Sequence, residues 1–184
     1  MHRSILIKAM VCFKVFTLFP QIFPSTLGVS VPARGLKNNL FKLEVIDINT
    51  FALDKHKTVD DYPFGGGAGM LMKPDVLSLA IESELAKEEV KPLIILTSAR
   101  GFTFNQKIAN DLSTLSQRVI YIIAGRFEGV DERLIEYYDI VEISLGQFVL
   151  FGGEVAALAI MESVIRMIPD VLGNKETHLE ESYA

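Results

Sequence analysis

The sequence predicts an α/β domain with a mainly parallel sheet and flanking helices, on three observations. Short apolar runs ending in turn residues recur, at 92–98 (PLIILTS) and 118–125 (RVIYIIAG). Such runs suit strands buried on both faces of a sheet. Segments with apolar residues every three or four positions lie between and after them. The 184 residues, 49% hydrophobic and 22% charged, suffice for one domain with a sizeable core.

The elements follow in order. CFKVFTLF (12–19) reads as a buried first strand, and LFKLEVIDI (40–48) alternates apolar and polar residues as a strand does. A helix is predicted over 74–89, with Pro74 in its first turn and Leu77, Ile81 and Leu85 on one face. A second covers 104–116, with Ile108, Leu112 and Leu115 in register. The strand-helix alternation points to a parallel sheet. The last helix, from Glu154 to about Met167, carries two apolar stripes, Val155-Leu158-Met161-Ile165-Ile168 and Ala157-Ile160-Val164-Met167. Two stripes need two apolar partners. One can be the sheet; the other is a second subunit or another part of the same chain.

Composition narrows the function classes. Eighteen Lys and Arg against 23 Asp and Glu give a formal net charge of −5, so phosphate-driven nucleic-acid binding needs a local basic patch. Lys55, His56 and Lys57 form a small one, or else a solvated loop. The lone Cys12 allows no internal disulfide and suits a reducing cytoplasm. His2, His56 and His178 are scattered, with no zinc spacing, so no metal is expected. The N-terminal apolar stretch is interrupted by Lys8 and Lys14 and lacks a small-x-small cleavage site, which argues against a leader peptide. It is also too short and charged to span a membrane.

Four glycine-containing loops are candidates for chemistry: DDYPFGGGAGM (60–70), TSARG (97–101), AGRFEGVDER (124–133) and SLGQFVLFGGE (144–154). The last three follow apolar strands, where open α/β sheets bind ligands. None carries the G-K-[ST] ending of a phosphate loop, and no G-x-G-x-x-G opens a helix. A site built from them should hold something other than a polyphosphate, through closely approaching backbone. Asp131 and Glu132 suit the start of a helix. Arg126 and Glu128 precede that helix and are better candidates for ligand contacts.

LFPQIF, DKHKTVDDYPFGGGAGMLMKP, GRFEGVDER, SLGQFVLFGGE and IPDVLGN occur in that order. From about Phe13 onward, the ordered set resembles the bacterial tRNA (guanine-N1)-methyltransferases of the SPOUT class. The resemblance implies a deep C-terminal trefoil knot and a cytoplasmic homodimer. It implies S-adenosylmethionine bound, bent, in the knot at the subunit interface. It further implies methyl transfer to N1 of the guanosine 3′ to the anticodon (position 37), in the tRNA anticodon loop. The last helix falls where that family has its dimer helix.

By the same resemblance, the cofactor-binding residues are Leu96, Thr97, Ser98, Gly125, Phe127, Gly129, Leu145, Gly146, Gln147, Phe148, Val149, Leu150, Gly152 and Gly153. Pro63, Gly65, Gly66 and Glu128 contact the substrate guanosine. Glu181, or its neighbour Glu180, stands for the usual aspartate base, and Arg166 is the cation that steadies charge on the base. Gln147 replaces a usual aspartate and Phe127 a usual tyrosine. Residues 1–172 correspond to the methyltransferase domain. Residues 173–184 correspond to the start of a linker to a C-terminal tRNA-binding helical domain, absent here, so this fragment is expected to be weak or inactive. The glycine loops also fit a nucleotide- or S-adenosylmethionine-binding module without catalysis, or a SPOUT enzyme acting on ribosomal RNA.

Overall fold

The computed structural model describes residues 10–172, apart from 64, 68, 116 and 117. In chain order the elements are β1 (Val11–Thr17), α1 (Ser30–Lys37), β2 (Phe41–Asp47), β3 (Asp60–Asp61), β4 (Leu71–Met72), α2 (Pro74–Leu85), β5 (Leu93–Thr103), α3 (Gln106–Ser113), β6 (Val119–Ile123), α4 (Glu132–Tyr138), β7 (Val141–Ser144) and α5 (Glu154–Met167). Short 3-10 turns cover Pro20–Ile22, Ser25–Gly28 and Ile48–Phe51.

Five strands form one parallel sheet in the order β2-β1-β6-β5-β7. Alternation within the strands divides the core. Phe13, Val15, Ile95, Ile120 and Ile122 face Ala109 and Leu112 of α3 and Ala157, Met161 and Val164 of α5. Phe16, Ile94, Leu96, Tyr121 and Ile123 face the other way, onto Val76, Leu77 and Ile81 of α2 and Leu134 and Tyr138 of α4. Both faces are buried, which explains why β5 and β6 read as continuous apolar runs.

Lys14 is the exception in that core. It is 5% exposed, and its Nζ lies 2.8 Å from Glu84 in the last turn of α2 and 2.7 Å from Glu88, three residues beyond that helix. Glu44 lies at 3.5 Å, and the Tyr121 ring sits beneath the ammonium, 5.7 Å away. The charge that breaks the N-terminal apolar run is thus a buried cation closed in by three carboxylates. Burial alone would depress its pKa, but the hydrogen bonds to Glu84 and Glu88 outweigh that and raise it.

Helix limits follow local chemistry. Pro74 opens α2, the Asn105 side chain caps α3 by accepting from Ile108 N, and Asp131 caps α4 by accepting from Arg133 N. The two apolar stripes of α5 find their partners within one chain. Ala157, Leu158, Ile160, Met161, Val164 and Ile165 are all buried, against the sheet, α3 and the 25–28 turn. Of the apolar residues 155–168, Val155 is exposed. Burying this helix therefore requires no second subunit.

One expectation changes. TSARG is not a loop after a strand: β5 runs on to Thr103. Its pairing with β7 slips, so that Thr97 and Phe102 both face Ile143 and residues 98–101 bulge out between them. A Cβ on Gly101 would overlap the Glu142 backbone, so the bulge can form only with glycine there. α1, a short helix containing Pro32 and Gly35, had no clear signal in the sequence.

Candidate active site

The bulge of β5 lies beside the carboxyl ends of β6 and β7, and it meets the segments that follow those two strands. Thr97, buried at the point where the bulge begins, joins two of them. Its hydroxyl donates to Ile123 O (3.2 Å) and accepts from Gly125 N (3.1 Å). The third segment joins through Gly153, whose N–H donates to Gly125 O at 2.8 Å. A Cβ on Gly153 would overlap Thr97 Oγ1 and come within 2.6 Å of Gly125 N. Glycine is therefore required where α5 starts, for close approach rather than for unusual dihedrals, since φ there is −80°.

The 60–70 stretch reaches the same place. It spans the β3–β4 hairpin, and its far end is stitched to the 126–130 loop: Glu128 N donates to Met70 O (2.8 Å) and Met72 N to Gly129 O (3.0 Å). Gly69 has φ +91°, and a Cβ on it would overlap Glu128 Cγ and lie 2.9 Å from Oε1. Both its dihedral and its surroundings exclude larger residues.

These segments enclose a cavity of about 700 Å³. Backbone-rich glycine segments, apolar side chains and a few charges line it. Among the charges, Arg100 bridges Glu142 (2.9 Å) and Glu132 (2.6 Å), which raises its pKa further. Asp131 is held below the usual carboxylate range by its hydrogen bond from Arg133. Arg126 is engaged by Glu154. Among the described residues, no hydrogen bond or ion pair engages the Glu128 carboxylate, which lines the cavity and is exposed.

Residues 11–184 match the family described as tRNA (Guanine-1)-methyltransferase TrmD. The chain belongs to this family. Relatives named tRNA (guanine-N(1)-)-methyltransferase include one from Ehrlichia ruminantium (strain Gardel), 46% identical over 92% of this chain and 71% of its own length. One from Anaplasma phagocytophilum (strain HZ) is 46% identical over 92% and 72%. One from Ruegeria pomeroyi is 43% identical over 93% and 70%.

In this methyltransferase chain, the cavity brings together most of the residues singled out from the sequence. Leu96, Thr97, Ser98, Gly125, Phe127, Gly129, Leu145, Phe148, Val149, Leu150, Gly152 and Gly153 line it, as do Pro63, Gly65, Gly66 and Glu128. Gly146 and Gln147 belong to the same loop but do not line the wall. Arg166 lies in the last turn of α5, twelve residues beyond Glu154, or roughly 18 Å along the axis. It does not line this chain's cavity. Glu180 and Glu181 lie outside the described residues.

Arg100, Glu132 and Glu142 also line the cavity, unforeseen as site residues. Arg100 and Glu132 lie inside two of the candidate loops, TSARG and AGRFEGVDER, but Glu132 reads there as the start of a helix. Arg126, expected to contact ligand, is largely spent on an internal pair. In the 53–58 loop, the Asp54 side chain accepts from His56 N and Thr58 N, and Lys57 Nζ donates to Ala52 O. That leaves Lys55 and His56 as its outward basic groups. Among the described residues, no cluster of His, Cys, Asp and Glu is placed to hold a metal, and no helix is long and apolar enough to cross a membrane.

Proposed function

We propose that this chain transfers a methyl group from S-adenosylmethionine to N1 of the guanosine 3′ to the anticodon, position 37 of tRNA. One observation carries the reading: in a chain of this family, the β5 bulge, the segments after β6 and β7 and the 60–70 stretch line a single cavity. Its size and lining suit the cofactor and a base together. Close-packed backbone at 124–129 and 145–153 offers N–H and C=O groups to an adenosine, and Leu96, Leu145 and Leu150 offer apolar surface.

S-adenosylmethionine, when bound, supplies an electrophilic methyl group on a sulfonium. The protein's task is to deprotonate and align the acceptor. Guanine N1 carries a proton and becomes a nucleophile only when that proton leaves. Glu181 takes it in this reading. Glu128, its carboxylate free at the cavity, accepts from the N–H edge of the base and fixes its orientation. Pro63, Gly65 and Gly66 form a wall without bulky side chains for the base to lie against. Alignment of N1 with the methyl group contributes most of the remaining acceleration.

Arg166 steadies the charge that develops on O6. At roughly 18 Å from its own cavity end of α5, it reaches a reacting base only across a subunit interface, which supports a homodimer. The exposed apolar run Phe148, Val149, Leu150 and Phe151, with Val155, supplies surface for one. The reading also includes the knot, a cytoplasmic location, and residues 1–172 as the methyltransferase domain.

The test is methyl transfer from labelled S-adenosylmethionine to two tRNA transcripts, one with guanosine and one with adenosine 3′ to the anticodon. With a C-terminal helical domain fused to the chain, the expected product is 1-methylguanosine in the first and no label in the second. Label in another nucleoside would refute the assignment.

A further inference from the structure

The cavity has a buried charge pair that the proposed chemistry does not use. Glu154, the first residue of α5, is 1% exposed. Its carboxylate accepts from Thr17 Oγ1 (2.9 Å) and Arg126 Nε (3.1 Å), and its Oε2 lies 2.8 Å from Arg126 Nη2. Arg126 also donates to Phe151 O (3.2 Å) and stacks over the Phe19 ring at 4.4 Å. The pair thus ties the end of β1, the loop after β6 and the segment before α5 together. The arginine faces the cavity, and the glutamate sits behind it.

We propose that Glu154 is a positioning and charge-balancing residue for the cofactor. It holds the guanidinium in place and cancels its charge, so that a cationic sulfonium can sit beside the wall. The inference rests on the cavity being the S-adenosylmethionine site. The other charges leave this duty to Glu154. Arg100 is matched by Glu132 and Glu142, Asp131 by Arg133, and the Glu128 carboxylate faces the substrate end. Two fixed charges a few ångströms apart at a partly buried site interact strongly enough to change affinity severalfold. An unbalanced Arg126 should therefore penalise a sulfonium and spare a thioether.

S-adenosylmethionine and S-adenosylhomocysteine differ in that charge and one methyl group, so their relative affinity reads the balance directly. Dissociation constants for both would be measured by calorimetry on the wild type, E154D, E154Q, R126M and E154Q/R126M, with thermal unfolding to monitor the fold. E154Q should weaken S-adenosylmethionine by about tenfold and S-adenosylhomocysteine by about twofold, a change of about fivefold in their ratio. E154D, which keeps the charge, should keep the ratio. R126M, which leaves the buried carboxylate uncompensated, should shift the ratio the opposite way, a result that stands even if E154Q does not fold. E154Q/R126M should restore the ratio although both affinities fall. Equal losses for the two ligands in E154Q and in R126M would reduce the pair to a structural clamp and overturn the proposal. A wild type that binds neither ligand would overturn the site assignment itself, a distinct outcome.

Discussion

Replacing Gly153 with alanine probes the point where the cavity-forming segments converge. Backbone strain plays no part, because φ −80° and ψ −5° are ordinary for alanine. The added Cβ would overlap Thr97 Oγ1 and lie 2.6 Å from Gly125 N and 3.0 Å from Ala124 C, where ordinary contact begins at 3.4 Å. The 145–153 segment must therefore retreat from the 124–129 loop by about 0.8 Å. Overpacking of this kind costs about 1–3 kcal/mol. For a chain this size it should lower Tm by roughly 2–12 °C, at about 2–4 °C per kcal/mol. In the proposed cofactor site, moving both loops would also remove about two backbone hydrogen bonds to S-adenosylmethionine, each worth about 1 kcal/mol, or roughly a thirtyfold loss of affinity. Differential scanning fluorimetry and calorimetry with S-adenosylmethionine read the two effects. Adding Thr97→Ala should not rescue the variant, because the clash with the Gly125 backbone remains. Wild-type Tm and affinity in Gly153→Ala would refute the convergence.

Further expectations concern other parts of the molecule. Gly66→Val forces a branched side chain into φ +74° at the guanine wall, so tRNA methylation should fall at least tenfold while cofactor affinity stays within about twofold; equal loss of both would show that the wall also holds the cofactor. The Cys12 thiol is pushed up to about 11, by burial first and then by Glu44. Its alkylation by iodoacetamide should keep accelerating from pH 8 past pH 10, and a plateau near pH 9 would contradict this. Lys14→Met strands Glu88 without its cation and leaves Glu84 to Lys87 alone, and should cost about 3 kcal/mol in urea unfolding. Glu44 is held below its usual range by the hydrogen bond from Lys42, and Glu84, despite burial, by Lys14 and Lys87. Depressed carboxylate pKa values add stability that is present above the unfolded-state pKa and lost as pH falls through the folded values. The urea midpoint should therefore drop below about pH 4.5, and one that rose on acidification would show that these carboxylates are not paired.

The fold was legible where burial dictates composition. β6 is apolar on both faces because helices cover both, and Pro74 and Asp131 mark helix starts by chemistry that needs no tertiary context. α1 was not legible, because Pro32 and Gly35 oppose helix propensity and packing overrides them. TSARG looked like a turn because its composition is turn-like. Only the register slip against β7 shows that it is a strand bulging into the cavity wall. The candidate site was visible as four glycine-containing segments, since close backbone approach leaves a compositional trace. What meets what was hidden. The requirement for glycine at 69 arises from Glu128, fifty-nine residues away. Arg126 looked available for ligand because nothing local pairs with it, and its partner Glu154 lies twenty-eight residues on. Likewise, α5 left its second partner open, since periodicity records apolar faces and not what covers them.

The most direct test of the central claim is a crystal structure of this chain with S-adenosylmethionine. The expected result is cofactor density against Leu96–Ser98, Gly125–Gly129 and Leu145–Leu150, with Glu128, Pro63, Gly65 and Gly66 facing the methyl group. Density at another surface, or those three segments apart and empty at saturating cofactor, would contradict it.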